Sequence, residues 1–504
     1  MSDDAAAPPA EAQPAAPDAA AKGGEAEPGS AVPVFTLQYP QLLVSYGRSA
    51  WHGPNPKLLV QLTGASVLLM TFAYLYVGVS WNPGARLKTL QVAVLSCDAG
   101  VPAALAPALP ALASAPPMGA ALLASSVLDP SSAAGKTLGW TAFACSAAGG
   151  SACGSTTAAA CRAELVKAVD DGQVWSALYV PATFTADVLS GAPSLAAAMG
   201  RNATTALIEH IYGAGRSPST YTYIKGVVSA TVAGLATALG RSVLGSSALG
   251  AAMSKSYFLA PLALLDTNLH PVVHYGQNFA SYVFCVLLWM GSAFTVAALS
   301  QYKTRAEMEH VRGTPVAVGK ALRIVAVKSS VAMAFAFIQA IALVSVLLCL
   351  GRYVADGPDG SAGLTWAHSP GLMIAYGAYM SFSFLSLNAL SLHVIGVEKF
   401  TAVTTLLLIV QLTSSAGFFS ETLSNRFYRV GRGLPFFYGV RAFRTIMFGG
   451  QENWMPINWM VPTVWNAGCF LAFALFTVAR LQRRVLVDKQ PISALTPLTG
   501  VVLA

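Results

Sequence analysis

Five arginines stand between two apolar runs near the C-terminal end of the chain: Arg426, Arg429, Arg432, Arg441 and Arg444. The last two lie among aromatics in LPFFYGVRAFRTIMFGG, residues 434–450. A guanidinium forks onto phosphate or carboxylate, so arginines set in apolar surroundings are candidates for holding an anion or a lipid headgroup. Phe436, Val440, Phe443 and Met447 follow helical spacing, with Pro435 suited to the first turn and Gly449 to the end. The competing reading is an amphipathic helix in the membrane interface whose arginines snorkel to water. Arg441 and Arg444 are therefore candidate lipid or anionic-ligand contacts, with plain anchoring as the alternative.

A second polar set lies inside the apolar runs. SFSFLSLNALSLH, residues 381–393, places Ser383, Ser386 and Asn388 within a membrane-length run, and Gln339 and Gln411 lie at comparable depth in two others. Unpaired polar groups cost several kcal/mol in hydrocarbon, so these must face other helices or a cavity. They are candidates for a polar path or for helix packing. No acidic residue lies at mid-run, which argues against a proton-driven pump.

Catalytic patterns are missing. The nearest approach to a phosphate-cradling loop is GTPVAVGKA, Gly313 to Ala321, which has one residue too many and Ala where the magnesium-binding hydroxyl belongs. Neither H-E-x-x-H nor G-x-S-x-G occurs. His270 and His274 are spaced i, i+4, but Pro271 interrupts a helix and no carboxylate follows at useful spacing. They read as interfacial histidines. No enzyme, cofactor or metal site is expected, and the basic balance of +8 reads as topology and headgroup contact rather than nucleic-acid binding.

The elements that must position these groups follow from composition. The 504 residues are 55% hydrophobic and 10% charged, against about 25% charged in an ordinary soluble chain. Six apolar runs approach the ~20 residues of a membrane span: 58–79, 279–300, 324–350, 370–396, 402–420 and 459–480. Residues 1–57 read as a cytoplasmic, mostly disordered tail and 485–504 as a second cytoplasmic tail. Lys303, Arg305, Arg312, Lys320 and Arg323 after the second run, and Arg480, Arg483, Arg484 and Lys489 after the sixth, put those segments inside. Asp356 and Asp359 suit the outside. The fold class is thus a six-helix transmembrane bundle with a large extracytoplasmic α+β domain, 80–278, inserted between spans 1 and 2. The five-span remainder, 279–484, carries an outer interfacial helix near 435–448.

Cysteines bear on the same layout. Cys97, Cys145, Cys153 and Cys161 lie in the 80–278 domain and Cys285, Cys349 and Cys469 within runs. Two disulfides among the first four, with three connectivities open, suit an oxidising compartment. The Asn202-Ala-Thr sequon falls in the same domain and is a glycosylation candidate. Within it, residues 90–96, 176–181 and 206–212 read as strands, 102–160 as loops and short helices, and 221–250 as a helix. Asp98, just after the first strand, reads as a turn cap.

WNPGARLKTLQVAVLSCDAG (81–100), VDDGQVWSALYVPATFT (169–185), IYGAGRSPSTYTYI (211–224), LHPVVHYGQNFASYV (269–283) and the arginine segment occur in that order. Together they resemble the fungal nitrosoguanidine-resistance membrane protein family. That family is similar in layout to the phage-infection-protein group and to membrane domains of type-2 ABC exporters. The resemblance spans roughly 58–484, with Asp98, Gly100, Pro181, Gly215, Arg216 and Pro435 as motif positions. Cys97 stands where an aspartate or asparagine is expected, and 102–160 is an insert. The resemblance implies export or membrane distribution of amphiphilic toxic compounds or lipids. The alternative is a non-transporting scaffold or receptor whose extracytoplasmic domain binds a partner. Expected partners are membrane lipids and either a separate ATPase subunit or a second copy of the chain, but no nucleic acid. The expected location is the plasma membrane, with both termini cytoplasmic.

Overall fold

A computed structural model describes residues 56–79, 82–146, 153, 156–245, 247–255, 257–272, 275–311, 315–355, 366–417 and 420–482. Residues 1–55 of the first expected tail, the whole of the second, Asp356, Asp359 and His274 lie outside the described residues. The chain divides into two compact units, 1–66 and 67–504. The described part of the first opens helix α1 (Pro56–Val79). The second holds a sheet domain and a helical bundle.

Five strands build the sheet: β1 (Gln91–Ser96), β2 (Gly139–Ala142), β3 (Ser176–Val180), β4 (Ala206–Tyr212) and β5 (Leu262–Asn268), in the order β2-β1-β3-β4-β5. β1 runs parallel to β2 and β3, and β4 parallel to β5; β3 and β4 are antiparallel. The chain between strands forms α2 (Pro110–Ala113), α3 (Met118–Ser126), α4 (Ala158–Asp170), α5 (Phe184–Leu189), α6 (Pro193–Ala198), α7 (Pro218–Gly245) and α8 (Ser247–Ala252). Parallel neighbours require such crossovers and bury both sheet faces. That explains why β1 is a continuous apolar run. Val92 and Val94 pack on one side with Leu123, Val188 and the α7 stripe; Ala93 and Leu95 pack on the other with Leu165 and Val169 of α4. The expected α+β domain is therefore a mixed, mostly parallel sheet with helices on both faces. β1, β3 and β4 lie where strands are expected. β2 and β5 fall where the sequence carries no strand signal, since β2 has four residues with two of them exposed.

The remaining helices are α9 (Tyr275–Gln301), α10 (Arg305–Val311), α11 (Val318–Ala355), α12 (Pro370–Ile395), α13 (Val397–Thr413), α14 (Pro435–Phe448) and α15 (Met455–Gln482). α12 is the hub, touching α9, α11, α13, α14 and α15. Among the described residues, five helices could cross a membrane by length and composition: Pro218–Gly245, Gly276–Gln301, Val318–Leu350, Pro370–Ile395 and Glu452–Gln482. The runs at 279–300, 324–350, 370–396 and 459–480 fall on four of these. The run at 58–79 falls within α1, and that at 402–420 overlaps the 17-residue α13 over 402–413. The fifth apolar helix is α7, whose Ile224, Val228, Val232, Leu235, Leu239 and Val243 are buried with strand residues. α11 and α15 instead expose Phe335, Phe337, Ile338, Leu471, Leu475 and Phe476. Exposed apolar surface of that extent marks contact with lipid or another protein.

Candidate functional site

α14 begins at Pro435 in its first turn and ends at Gly449, whose φ of +80° suits glycine. Every residue of α14 except Arg441 is buried. Phe436, Val440, Phe443 and Met447 pack with Cys285, Met380 and Phe384 of α9 and α12. The helix is thus enclosed by protein rather than lying with one face free at an interface. Its last carbonyls are all engaged, Thr445 by the Gly449 amide at 2.9 Å, Ile446 by His368 at 3.0 Å and Met447 by Ala367 at 2.9 Å. His270 Nδ1 lies 3.0 Å from the Phe448 oxygen. Helix ends that are enclosed this way need such partners.

His270 also places Nε2 2.5 Å from Asp170 Oδ1. A carbonyl and a carboxylate only accept, so both contacts form together when both ring nitrogens carry hydrogen. A further contact joins the sheet domain to this helix end, the Gln451 amide donating to the Asp170 carbonyl at 2.8 Å, while within the sheet domain the Gly215 amide donates to the His270 carbonyl at 3.0 Å. Gly215 is needed for the approach, because a Cβ there would lie 2.4 Å from Phe448 Cβ.

Three guanidiniums meet at this junction. Arg444 is 8% exposed and donates from Nη1 to the carbonyls of Arg216 at 3.2 Å and Ala416 at 3.1 Å, and from Nη2 to Gly417 at 2.6 Å. It fastens the turn after β4 to the loop after α13, so it does not snorkel. Its Nε is buried and has no partner among the described residues. Arg216 is half-buried, lies 3.7 Å over the Trp175 ring and donates to the Val174 carbonyl at 2.8 Å. Arg441 lies 3.9 Å over the Trp454 ring. Burial lowers all three pKa values, to about 9 for Arg216 and about 10 for Arg441 and Arg444. Among the described residues no carboxylate pairs with any of them; Glu421, nearby, pairs with Arg432. The three arginines wall a cavity of about 80 Å³ with Glu421, Phe437, Val440 and Gln451. At about 10–15 Å³ per water on this measure, it has room for several waters or one small oxyanion.

The polar groups inside the bundle are arranged differently. Ser383 donates to the Pro462 carbonyl at 3.3 Å and Ser386 to Asn466 Oδ1 at 2.8 Å. Asn388 donates to Ser292 at 2.9 Å and accepts from Thr404 at 2.5 Å, joining three helices. Pro462 sits inside α15 and lacks the amide that would bond the Asn458 carbonyl; the Tyr376 hydroxyl donates there instead at 2.9 Å. Gln339 donates to Thr295 at 3.3 Å, while its Oε1 and both amide atoms of Gln411 are buried without partners.

Other positions singled out in the sequence lie in the sheet domain. Asp98 accepts from the amides of Gly100 at 3.2 Å, Gly119 at 2.8 Å and Thr185 at 3.0 Å, and from the Thr185 hydroxyl at 2.6 Å. This filled carboxylate knots the turn after β1, where Gly100 has φ +80°, to the start of α5, three residues after Pro181. Two cysteine pairs fit disulfides: Cys97–Cys153, with sulfurs 1.94 Å apart, and Cys145–Cys161, at 2.02 Å. Asn202 is exposed.

Arg216 joins Arg441 and Arg444, although more than 200 residues separate them in sequence. Trp175 and Trp454 carry no signal in the sequence that would pair them with the arginines. No curated protein and no solved structure matches this chain. A family model described as a protein of unknown function (DUF3533) matches residues 63–469. With most of its length so covered, the chain belongs to the DUF3533 family.

Proposed function

We propose that the chain is a multipass membrane protein of transport type, acting in the export or membrane distribution of amphiphilic toxic compounds or lipids. The arginine cavity beside the apolar bundle carries this reading. Buried positive charge with unengaged donors next to apolar helices suits a molecule with an anionic head and an apolar body. The resemblance to nitrosoguanidine-resistance proteins points the same way.

The layout proposed has six spans, α1, α9, α11, α12, α13 and α15. α7 stays with the sheet, because its apolar stripe is buried there. The sheet domain then faces the outside of the plasma membrane and both termini the cytoplasm, which suits the cysteine pairs. The chain is not an enzyme in this reading. Its partners in this reading are membrane lipids and either a separate ATPase subunit or a second copy of the chain, and nucleic acid has no part.

A second reading, a scaffold or receptor, draws on a cavity of about 480 Å³ between the α2–α3 region and α7 of the sheet domain. A deletion strain separates the two when toxin efflux and surface lipid exposure are measured. Loss of either supports transport. Normal efflux and lipid distribution, with loss of a specific outer partner, would sink it.

A further inference from the structure

Donor accounting separates the three arginines. Each guanidinium offers five N–H groups. Arg444 directs its two terminal nitrogens to carbonyls and leaves Nε unpartnered in a buried position. Arg216 engages one terminal nitrogen with Val174. Arg441, among the described residues, has no hydrogen-bond acceptor at all, only the Trp454 ring beneath it. Stacking holds the guanidinium plane and leaves its edge donors free. Three cations and the single carboxylate of Glu421 line the cavity, and that carboxylate pairs with Arg432 through Oε1, its Oε2 being buried without a partner among the described residues. At least two positive charges are therefore uncompensated.

Cations wholly or partly withdrawn from water without a counter-charge are costly. A structure retains them where a ligand supplies the charge. A carboxylate would offer one negative charge and two oxygens in a plane. A phosphate monoester offers up to two charges and three terminal oxygens, reaching guanidiniums that approach from separate elements. Here Arg216 comes from the turn after β4 and Arg441 and Arg444 from α14. Phe437 and Val440 supply an apolar wall beside them.

We propose that the cavity walled by Arg216, Arg441 and Arg444 binds a phosphomonoester-type anion, with Arg216 and Arg441 as its principal donors and Arg444 as the brace that holds the walls together. This deepens the transport reading by naming the ligand's head, and it is tested through binding, independently of movement.

The full-length protein in a neutral detergent is titrated with dioctanoyl phosphatidic acid, with inorganic phosphate and with dioctanoyl phosphatidylcholine, and saturable thermal stabilisation is recorded. Phosphatidic acid or phosphate stabilises the wild type, and phosphatidylcholine does not. Arg441→Gln and Arg216→Gln each weaken the effective probe at least tenfold. Stabilisation by phosphatidic acid alone assigns the anion to a lipid headgroup; stabilisation by phosphate as well assigns it to phosphate irrespective of an acyl chain. Should Arg216→Gln fail to fold, Arg441→Gln carries the test, since that side chain makes no hydrogen bond within the described protein. The site is overturned if neither anion binds, or if Arg441→Gln binds as the wild type does. Binding in a protein that moves no substrate leaves the site intact and removes only the transport reading.

Discussion

The ladder of polar groups in the bundle and the arginine junction above it answer the same physical demand in opposite ways. In the bundle, Asn388 is matched by Ser292 and Thr404, Ser386 by Asn466, and the carbonyl freed by Pro462 by Tyr376. These polar atoms are closed upon one another, as helix packing in hydrocarbon requires, whereas Gln339 Oε1 and the Gln411 amide are buried without partners among the described residues. At the junction, Arg444 Nε and the donors of Arg441 remain open around a cavity. A cluster that is complete in itself holds helices together, and one that is incomplete awaits something. Unengaged charged donors gathered around a cavity, rather than the number of polar residues, tell the two apart.

That contrast can be broken by substitution. Arg444→Met should have the largest effect on stability, about 3 kcal/mol or more, because three carbonyls lose a charged donor together. Thermal unfolding of the purified protein measures it; a loss below ~1 kcal/mol means that water replaces the guanidinium. Asn388→Leu should cost about 1–3 kcal/mol by stranding the Thr404 hydroxyl, while Ser292 still donates to the Trp289 carbonyl, with efflux per folded molecule unchanged. Falling efflux at unchanged stability would turn the ladder into a path and erase the distinction. Tyr376→Phe should cost about 1 kcal/mol through the unbonded Asn458 carbonyl, read from the same unfolding curves. Arg441→Gln should leave stability within about 0.5 kcal/mol of the wild type or raise it, since no internal hydrogen bond is lost. A large loss there would make Arg441 a structural residue and close the junction as the bundle is closed.

The parts legible in the sequence share a local cause. α14 could be placed from Pro435 to Gly449 because caps and 3.6-residue spacing are properties of neighbouring residues. β1, β3 and β4 showed as apolar, β-branched runs because both faces of a central strand are buried. β2 is a short edge strand with exposed residues, so burial left no pattern on it. The enclosure of α14 was not legible either. Its arginines look suited to a water-facing side, and only the packed structure shows Arg444 turned toward backbone carbonyls supplied by residues 216, 416 and 417. The gathering of Arg216 with Arg441 likewise depends on the whole fold, with Gly215 admitting the close contact.

The two cysteine pairs cross in sequence: Cys97 joins Cys153 while Cys145 joins Cys161. They close loops separated by 56 and 16 residues, worth about 4 and 3 kcal/mol singly by chain entropy. The crossing matters most during synthesis. With the sheet domain on an oxidising side of the membrane, as proposed above, Cys145 would arrive there before Cys153, so pairing by order of arrival would join Cys97 to the wrong thiol. Cys97 must either wait, sheltered at the end of β1, until the third cysteine arrives, or be rescued by thiol exchange. A host lacking a disulfide isomerase on that side of the membrane should accumulate this protein with scrambled crosslinks and a misassembled sheet, even where all its helices insert.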